Sequence, residues 1–215
     1  MKIEVLVADD HAIIRDGLRR ILADTEDLVV AGEAENGNQA LALVRDRDWG
    51  AVVLDLSMPG RSGLDLLKAI KTERPALPVL VFTMHAEEQY AVRAMRAGAS
   101  GYLSKESNSD LLLPALRKVA HHGMYVSSKV AELLALDVSP SAVGRPHSRL
   151  TDREFEIFRR IVRGDTPTEI AGELSLSIKT ISAHKAHILE KLGLSSHVEL
   201  IRYAFDNALV DRPPQ

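Results

Sequence analysis

Asp9, Asp10, Asp55, Thr83 and Lys105 are the residues of this chain whose types and spacing suit chemistry. They stand where short apolar runs end. Those runs are Ile3–Ala8, Ala51–Leu54, Val79–Phe82 and Gly101–Leu103, with a fifth, Leu28–Ala31, after the first. Two adjacent aspartates beside a third repel one another, and they stay ionised together only with compensation. A hard divalent cation with oxygen ligands supplies it, keeps several waters and accepts a phosphoryl oxygen, so Mg²⁺ is the expected cofactor. Lys105 adds positive charge for the same incoming group and Thr83 offers it a hydroxyl. An aspartate can itself be the nucleophile, forming an aspartyl phosphate.

The elements that must bring these groups together follow from the pattern around them. Helix-period stretches separate the five runs, and this alternation predicts an α/β fold, a doubly wound five-stranded parallel sheet. In such sheets functional groups gather beyond the carboxyl ends of the strands. After Lys105, Ser107 is the expected cap of a helix carrying Leu111, Leu112, Ala115, Leu116 and Val119, which closes near Ala120. One more helix is expected over Ser127–Leu136. Asp137–Ser148, with Pro140, Gly144 and Pro146 among small polar residues, reads as a linker.

From Leu150 onward the signals are helical only. Helices are predicted near Thr151–Arg163, Pro167–Leu174, Ile178–Leu192 and Ser196–Ala208, a small all-α domain. Thr151 with Glu154, Thr166 with Glu169 and Ser196 with Glu199 each place a hydroxyl three residues before a glutamate, the capping-box spacing. Ser177 is a further N-cap, Pro167 suits a first helical position, and Gly164 and Gly193 suit helix ends. The expected domains are residues 1–121, a linker with a short helix over 122–147, and 148–211.

The third of these helices carries an interaction face. Ile178, Ile181, Ile188 and Leu192 form an apolar stripe, and the opposite side presents Lys179, Ser182, Ala183, Ala186, His187 and Glu190. A polar face of small side chains, after a short helix and a tight turn, suits the major groove of double-stranded DNA. Thr180, His184, Lys185 and Lys191 flank it, where phosphate contacts are expected.

Composition bounds the alternatives. The 215 residues are 46% hydrophobic and 27% charged, with no cysteine, which excludes disulfides, thiolate metal sites and cysteine nucleophiles. No stretch approaches the roughly 20 apolar residues of a membrane span, so a cytoplasmic protein without a membrane partner is expected. Before Arg145 stand 16 basic and 20 acidic residues, and from it onward 11 and 10. That contrast is too mild to carry a nucleic-acid partner by itself.

The same residues carry a resemblance. Asp9-Asp10, Asp55 within Val-Val-Leu-Asp-Leu-Ser-Met-Pro-Gly, Gly63, Thr83, Ala97-Gly98-Ala99, Tyr102 and Lys105 resemble the flavodoxin-like receiver domain of two-component response regulators. Leu150-Thr-Asp-Arg-Glu, Ile161-Val-Arg-Gly, Glu169-Ile-Ala, Leu174-Ser-Leu-Ser, Lys179-Thr-Ile-Ser-Ala-His and Ile188-Leu-Glu-Lys-Leu resemble the LuxR-type helix-turn-helix of the NarL/FixJ subfamily. The resemblance implies that Asp55 is the phosphoacceptor and Asp10 a direct Mg²⁺ ligand, with Asp9 acting through water and the Ser57 carbonyl as a further ligand. It also implies that Thr83 and Lys105 meet the phosphoryl group, and that Tyr102 rotates inward as Thr83 moves. The implied partners are a sensor histidine kinase as phosphodonor, promoter DNA and a second copy of the chain in a phosphorylated homodimer. Glu106 stands where the family often has Pro, Pro167-Thr168 where it often has Lys, and Ser182, Ala183 and Ala186 where longer or basic side chains are frequent.

Two other readings stand beside this one. A phosphatase with an aspartyl nucleophile wants a second Asp two residues after the first, and Ser57 stands there, so enzymatic turnover is not expected. A protein-interaction module is the other, because few long basic side chains line the third helix.

Overall fold

The computed structural model describes residues 2–58, 63–138, 146–174, 176–207 and 209. Pro59 and Gly60, which end the Asp55 motif, and the middle of the expected linker, residues 139–145, lie outside them. The chain divides into two units, Met1–Glu132 and Leu133–Gln215.

In the first unit the strands are β1 (Ile3–Ala8), β2 (Leu28–Ala34), β3 (Ala51–Leu54), β4 (Val79–Thr83) and β5 (Gly101–Ser104). The helices between and after them are α1 (Ala12–Ala23), α2 (Gly37–Asp46), α3 (Gly63–Glu73), α4 (Glu87–Arg96) and α5 (Leu112–Ala120). All pairings are parallel in the order β2-β1-β3-β4-β5. Helices cover both faces of such a sheet, which is why its strands read as continuous Val/Leu/Ala runs rather than alternating ones. Val5, Val7, Val53, Leu80 and Leu103 are buried with Leu18, Leu22, Leu116 and Val119 in one core.

Two expectations are corrected here. β2 runs three residues past Ala31, through Gly32 and Glu33 to Ala34, and its register to β1 shifts so that Ala31 is skipped between Val30 and Gly32. An edge strand bulges and carries polar residues at little cost, so its apolar run understates its length. Ser107 does not cap α5. Asn108 accepts from the Asp110 N–H, a 3₁₀ turn spans Ser109–Leu111, and the helix proper begins at Leu112.

After α5 the chain returns alongside β5. The Tyr125 N–H donates to Ser100 O at 2.9 Å and the Tyr102 N–H donates to Tyr125 O at 3.1 Å, adding one parallel bridge at Gly101. A Cβ on Gly101 would stand 3.0 Å from Tyr125 O, so glycine admits this close approach. Ser127 then caps α6 (Ser128–Val138), its hydroxyl accepting from the Val130 N–H.

The second unit contains α7 (Asp152–Arg163), α8 (Pro167–Glu173), α9 (Ile178–Leu192) and α10 (His197–Asp206). Thr151–Glu154 and Thr166–Glu169 form complete capping boxes, and Ser177 accepts from the Thr180 N–H. Ser196–Glu199 is a half box: Ser196 accepts from the Glu199 N–H, but the Glu199 carboxylate takes the N–H and hydroxyl of Ser195 instead. Gly164 and Gly193 end α7 and α9 at φ of 100° and 68°, the left-handed region that favours glycine. Phe155, Phe158, Ile170, Ile181, Ile188 and Leu200 fill this unit's core.

Candidate functional site

The sheet brings the five sequence-predicted groups together at one end. β1 and β3 are neighbours on either side of the point where the strand order reverses, so Asp9 and Asp55 emerge side by side; the Asp55 N–H donates to Ala8 O at 2.8 Å. β4 and β5 deliver Thr83 and Lys105, joined by the Lys105 N–H donating to Thr83 O at 2.8 Å. The Lys105 Nζ lies 2.6 Å from Asp9 Oδ2 and 2.6 Å from Asp55 Oδ2. All three side chains are nearly inaccessible, and Thr83 is fully buried. Asp10 points outward from the same pocket and remains partly exposed.

Among the described residues, one ammonium against three carboxylates leaves the pocket with net negative charge. Ligand atoms of Asp9, Asp10, His11 and Asp55 all lie within 4.8 Å of one another. That donor set fits a small divalent cation, with Asp10 and His11 on the solvent side, Asp9 and Asp55 beneath them, and water completing the shell. The Ser57 N–H donates to Asp55 Oδ1 at 3.1 Å, which turns the chain just after β3 back toward the carboxylate.

Sequence reasoning missed two histidines here. His11 follows the acid pair and folds its ring onto it, Nδ1 standing 2.9 Å from Asp10 Oδ1 and 3.2 Å from Asp9 Oδ1. His85, two residues past Thr83, joins several parts of the site. Its Nε2 is 3.1 Å from Ser57 Oγ, its ring stacks on Tyr90 of α4, and its carbonyl accepts from the Tyr102 hydroxyl at 2.8 Å. The signal for both was position, a histidine in the first residues past a strand end that already carries a functional group.

Tyr102 is completely buried. From this region a contact leads onward. Glu87, the first residue of α4, accepts from the Ser127 hydroxyl at 2.7 Å, and Ser127 is the cap of α6. The α4 end that lies next to His85 is therefore tied to the start of α6 within the same unit.

On α9, Lys179, Ser182, Ala183, Ala186 and His187 are exposed together, while Ile181, Ile188 and Leu192 are buried. The polar face expected of this helix is thus free. Ile178 departs from the apolar stripe: at the first turn it is 51% exposed. Of the flanking residues, Thr180, His184 and Lys185 are half-buried. Lys191 is engaged elsewhere, its Nζ lying 2.6 Å and 2.9 Å from the two carboxylate oxygens of Glu154 on α7. Burial pushes the Glu154 carboxyl up, but Lys191 and the Thr151 groups outweigh it and hold it below the usual range. The Lys191 ammonium expected at phosphate instead locks α9 to the start of α7.

Comparison with known proteins agrees in both units. Residues 5–117 match the family described as response regulator receiver domain, and residues 148–204 match bacterial regulatory proteins, luxR family. The chain is 36% identical over 210 residues to response regulator GacA of Pseudomonas aeruginosa, covering 97% of this chain and 98% of that protein. It is 34% identical over 208 residues to response regulator UvrY of Escherichia coli, covering 96% and 95%. Among solved structures it resembles RcsB from Salmonella enterica serovar Typhimurium bound to promoter rprA in the presence of phosphomimetic BeF3-, at 32% identity and a TM-score of 0.69, over 94% of this chain and 98% of that one.

Proposed function

Because this chain belongs to the response regulators that join a receiver to a luxR-type DNA-binding domain, we propose that it is a transcription regulator switched by phosphorylation of Asp55. The observation that carries this reading is the buried Lys105 bridge between Asp9 and Asp55, with Asp10 at its mouth and Thr83 beside it. Residues 1–121 form the receiver, 122–147 the linker and 148–211 the DNA-binding domain. Proteins of this kind are not enzymes in the usual sense. No helix among the described residues is long and apolar enough to cross a membrane.

The Asp55 carboxylate attacks the phosphorus of a sensor histidine kinase's phosphohistidine; a new P–O bond forms as the P–N bond breaks, and the proton taken up by the leaving imidazole comes from solvent. Asp10, Asp55 and the Ser57 carbonyl would hold Mg²⁺, with Asp9 acting through water, and the ion would supply charge neutralisation for the phosphoryl oxygens. Lys105, now paired to Asp9 and Asp55, exchanges a carboxylate oxygen for a phosphoryl oxygen, and the Thr83 hydroxyl donates to another. A shift of Thr83 reaches Tyr102 through His85, whose N–H lies 3.5 Å from Thr83 Oγ1 and whose carbonyl holds the Tyr102 hydroxyl. The altered α4 surface favours a homodimer, and two copies present two α9 helices to half-sites about one DNA turn apart. Lys179, Ser182, Ala183, Ala186 and His187 meet the groove, with Thr180, His184 and Lys185 near phosphates.

RcsB bound to promoter DNA with a phosphomimetic supports the DNA partner, and two RcsB dimers bound to two DNAs support the dimer. Genome-wide mapping of bound DNA in cells carrying wild-type or Asp55→Ala protein tests the reading. Discrete sites that lose occupancy in the variant are expected. Equal occupancy in both, or no sites in the wild type, would overturn it.

A further inference from the structure

We propose that His11 is an additional inner ligand of the acidic pocket, and that its nitrogen shifts the metal preference of this receiver from Mg²⁺ toward borderline divalent ions such as Co²⁺. The inference rests on the proposed function for the pocket itself.

His11 occupies the N-cap position of α1 with extended backbone, yet its side chain makes no capping hydrogen bond. The ring is turned the other way. Its backbone N–H donates to Asp9 Oδ1 at 2.9 Å, which fixes the root of the side chain against the acid pair. From there Nδ1 approaches Asp10 Oδ1 at 2.9 Å and Asp9 Oδ1 at 3.2 Å. Neighbouring ligands of one octahedral ion, each about 2.1 Å from the metal, stand about 3.0 Å apart. The nitrogen and the carboxylate oxygen thus already have the spacing of two adjacent ligands on a single cation.

Lys105 leaves this side of the pocket open, because its ammonium engages the Oδ2 atoms of Asp9 and Asp55 while His11 engages the Oδ1 atoms of Asp9 and Asp10. The His11 side chain is 58% exposed, so a hydrated ion reaches it directly and the ring can turn by the small amount that coordination needs. Donor chemistry then sets the preference. Mg²⁺ demands oxygen and gains little from an imidazole, whereas metals further along the divalent series bind nitrogen progressively better. An all-oxygen pocket discriminates among the same ions less strongly.

Calorimetric titration of the full chain with Mg²⁺ and with Co²⁺, together with pulsed EPR of the Mn²⁺ complex, tests this in wild type, His11→Ala and His11→Gln. The expected result is ¹⁴N coupling to Mn²⁺ in the wild type, lost in both variants. The Co²⁺ to Mg²⁺ affinity ratio should fall by about tenfold in the variants, with Mg²⁺ affinity little changed. Absence of ¹⁴N coupling in the wild type, with an unchanged ratio in the variants, would overturn the proposal and leave His11 a hydrogen-bond partner of the aspartates. An Asp10→Asn control separates the two levels. Mg²⁺ uptake that Asp10→Asn abolishes, without nitrogen coupling, defeats the His11 ligand alone; no Mg²⁺ uptake by the wild type defeats the reading of the pocket on which it rests.

Discussion

Replacing Lys105 by Met removes the one ammonium that holds Asp9 and Asp55 together while keeping most of the side chain's volume. Each N–O separation is 2.6 Å, and at an effective dielectric of about 20 such a contact carries on the order of 6 kcal/mol of Coulomb attraction. Desolvation offsets much of that in the intact protein, but removing one partner of a buried pair leaves the others uncompensated, at a cost of about 3–5 kcal/mol. Lys105→Met should therefore lower the melting temperature of the receiver by roughly 10–20 °C in EDTA. Divalent ions should reverse most of it. With its positive competitor gone, the pocket should bind Mg²⁺ more tightly, and an ion at a hundred times its dissociation constant returns about 2.7 kcal/mol. Differential scanning calorimetry of wild type and variant, with EDTA and with excess Mg²⁺, measures both halves. Equal melting temperatures in EDTA, or the same Mg²⁺ increment in both proteins, would refute the charge-compensation argument.

Other positions test other parts of the account. The Glu154 carboxyl is held below its usual range, so its contribution to folding is complete at neutral pH and is lost as pH falls through that lowered value. Thermal melts of wild type and Glu154→Gln should differ most near pH 7 and converge below about pH 4; a gap that stays constant with pH would contradict this. Ala183 and Ala186 are exposed on α9, and a glutamate at either would carry a negative charge into the proposed groove contact. Fluorescence anisotropy should show promoter affinity falling by about tenfold with the melting temperature unchanged, whereas unaltered affinity would remove this face from the interface. Gly101→Ala places a methyl group 3.0 Å from Tyr125 O, Val119 Cγ2 and Leu80 Cδ1, and should cost about 1–3 kcal/mol in chemical denaturation. No loss would mean that the segment beside β5 yields freely.

Much of this was legible in the sequence because the signals were local. Buried parallel strands are short apolar runs, so the residues just past Ala8, Leu54 and Phe82 could be placed at one sheet edge before any coordinates. Caps were equally readable at Thr151, Thr166 and Ser177, where a hydroxyl and the N–H three residues on are the whole motif. Some misses were local choices between neighbours: Glu199 took Ser195 over Ser196, and Asn108 displaced Ser107 as the cap. The others came where a distant partner decides, as when β2 kept pairing through Gly32 and Glu33 because β1 continued beside it. Lys191 lies 37 residues from Glu154, and nothing along α9 announces that pairing. His85 gains its meaning only from Ser57 across the pocket, whereas His11 folds its ring back onto its own neighbours Asp9 and Asp10.

Intact-mass spectrometry after incubation with acetyl phosphate addresses the central claim most directly, because it reads the covalent bond itself. With Mg²⁺ present the wild-type protein should gain the mass of a single phosphoryl group, and it should gain none in EDTA or when Asp55 is replaced by Asn. A phosphoryl adduct of the same yield on Asp55→Asn, or one formed equally well without divalent metal, would contradict it.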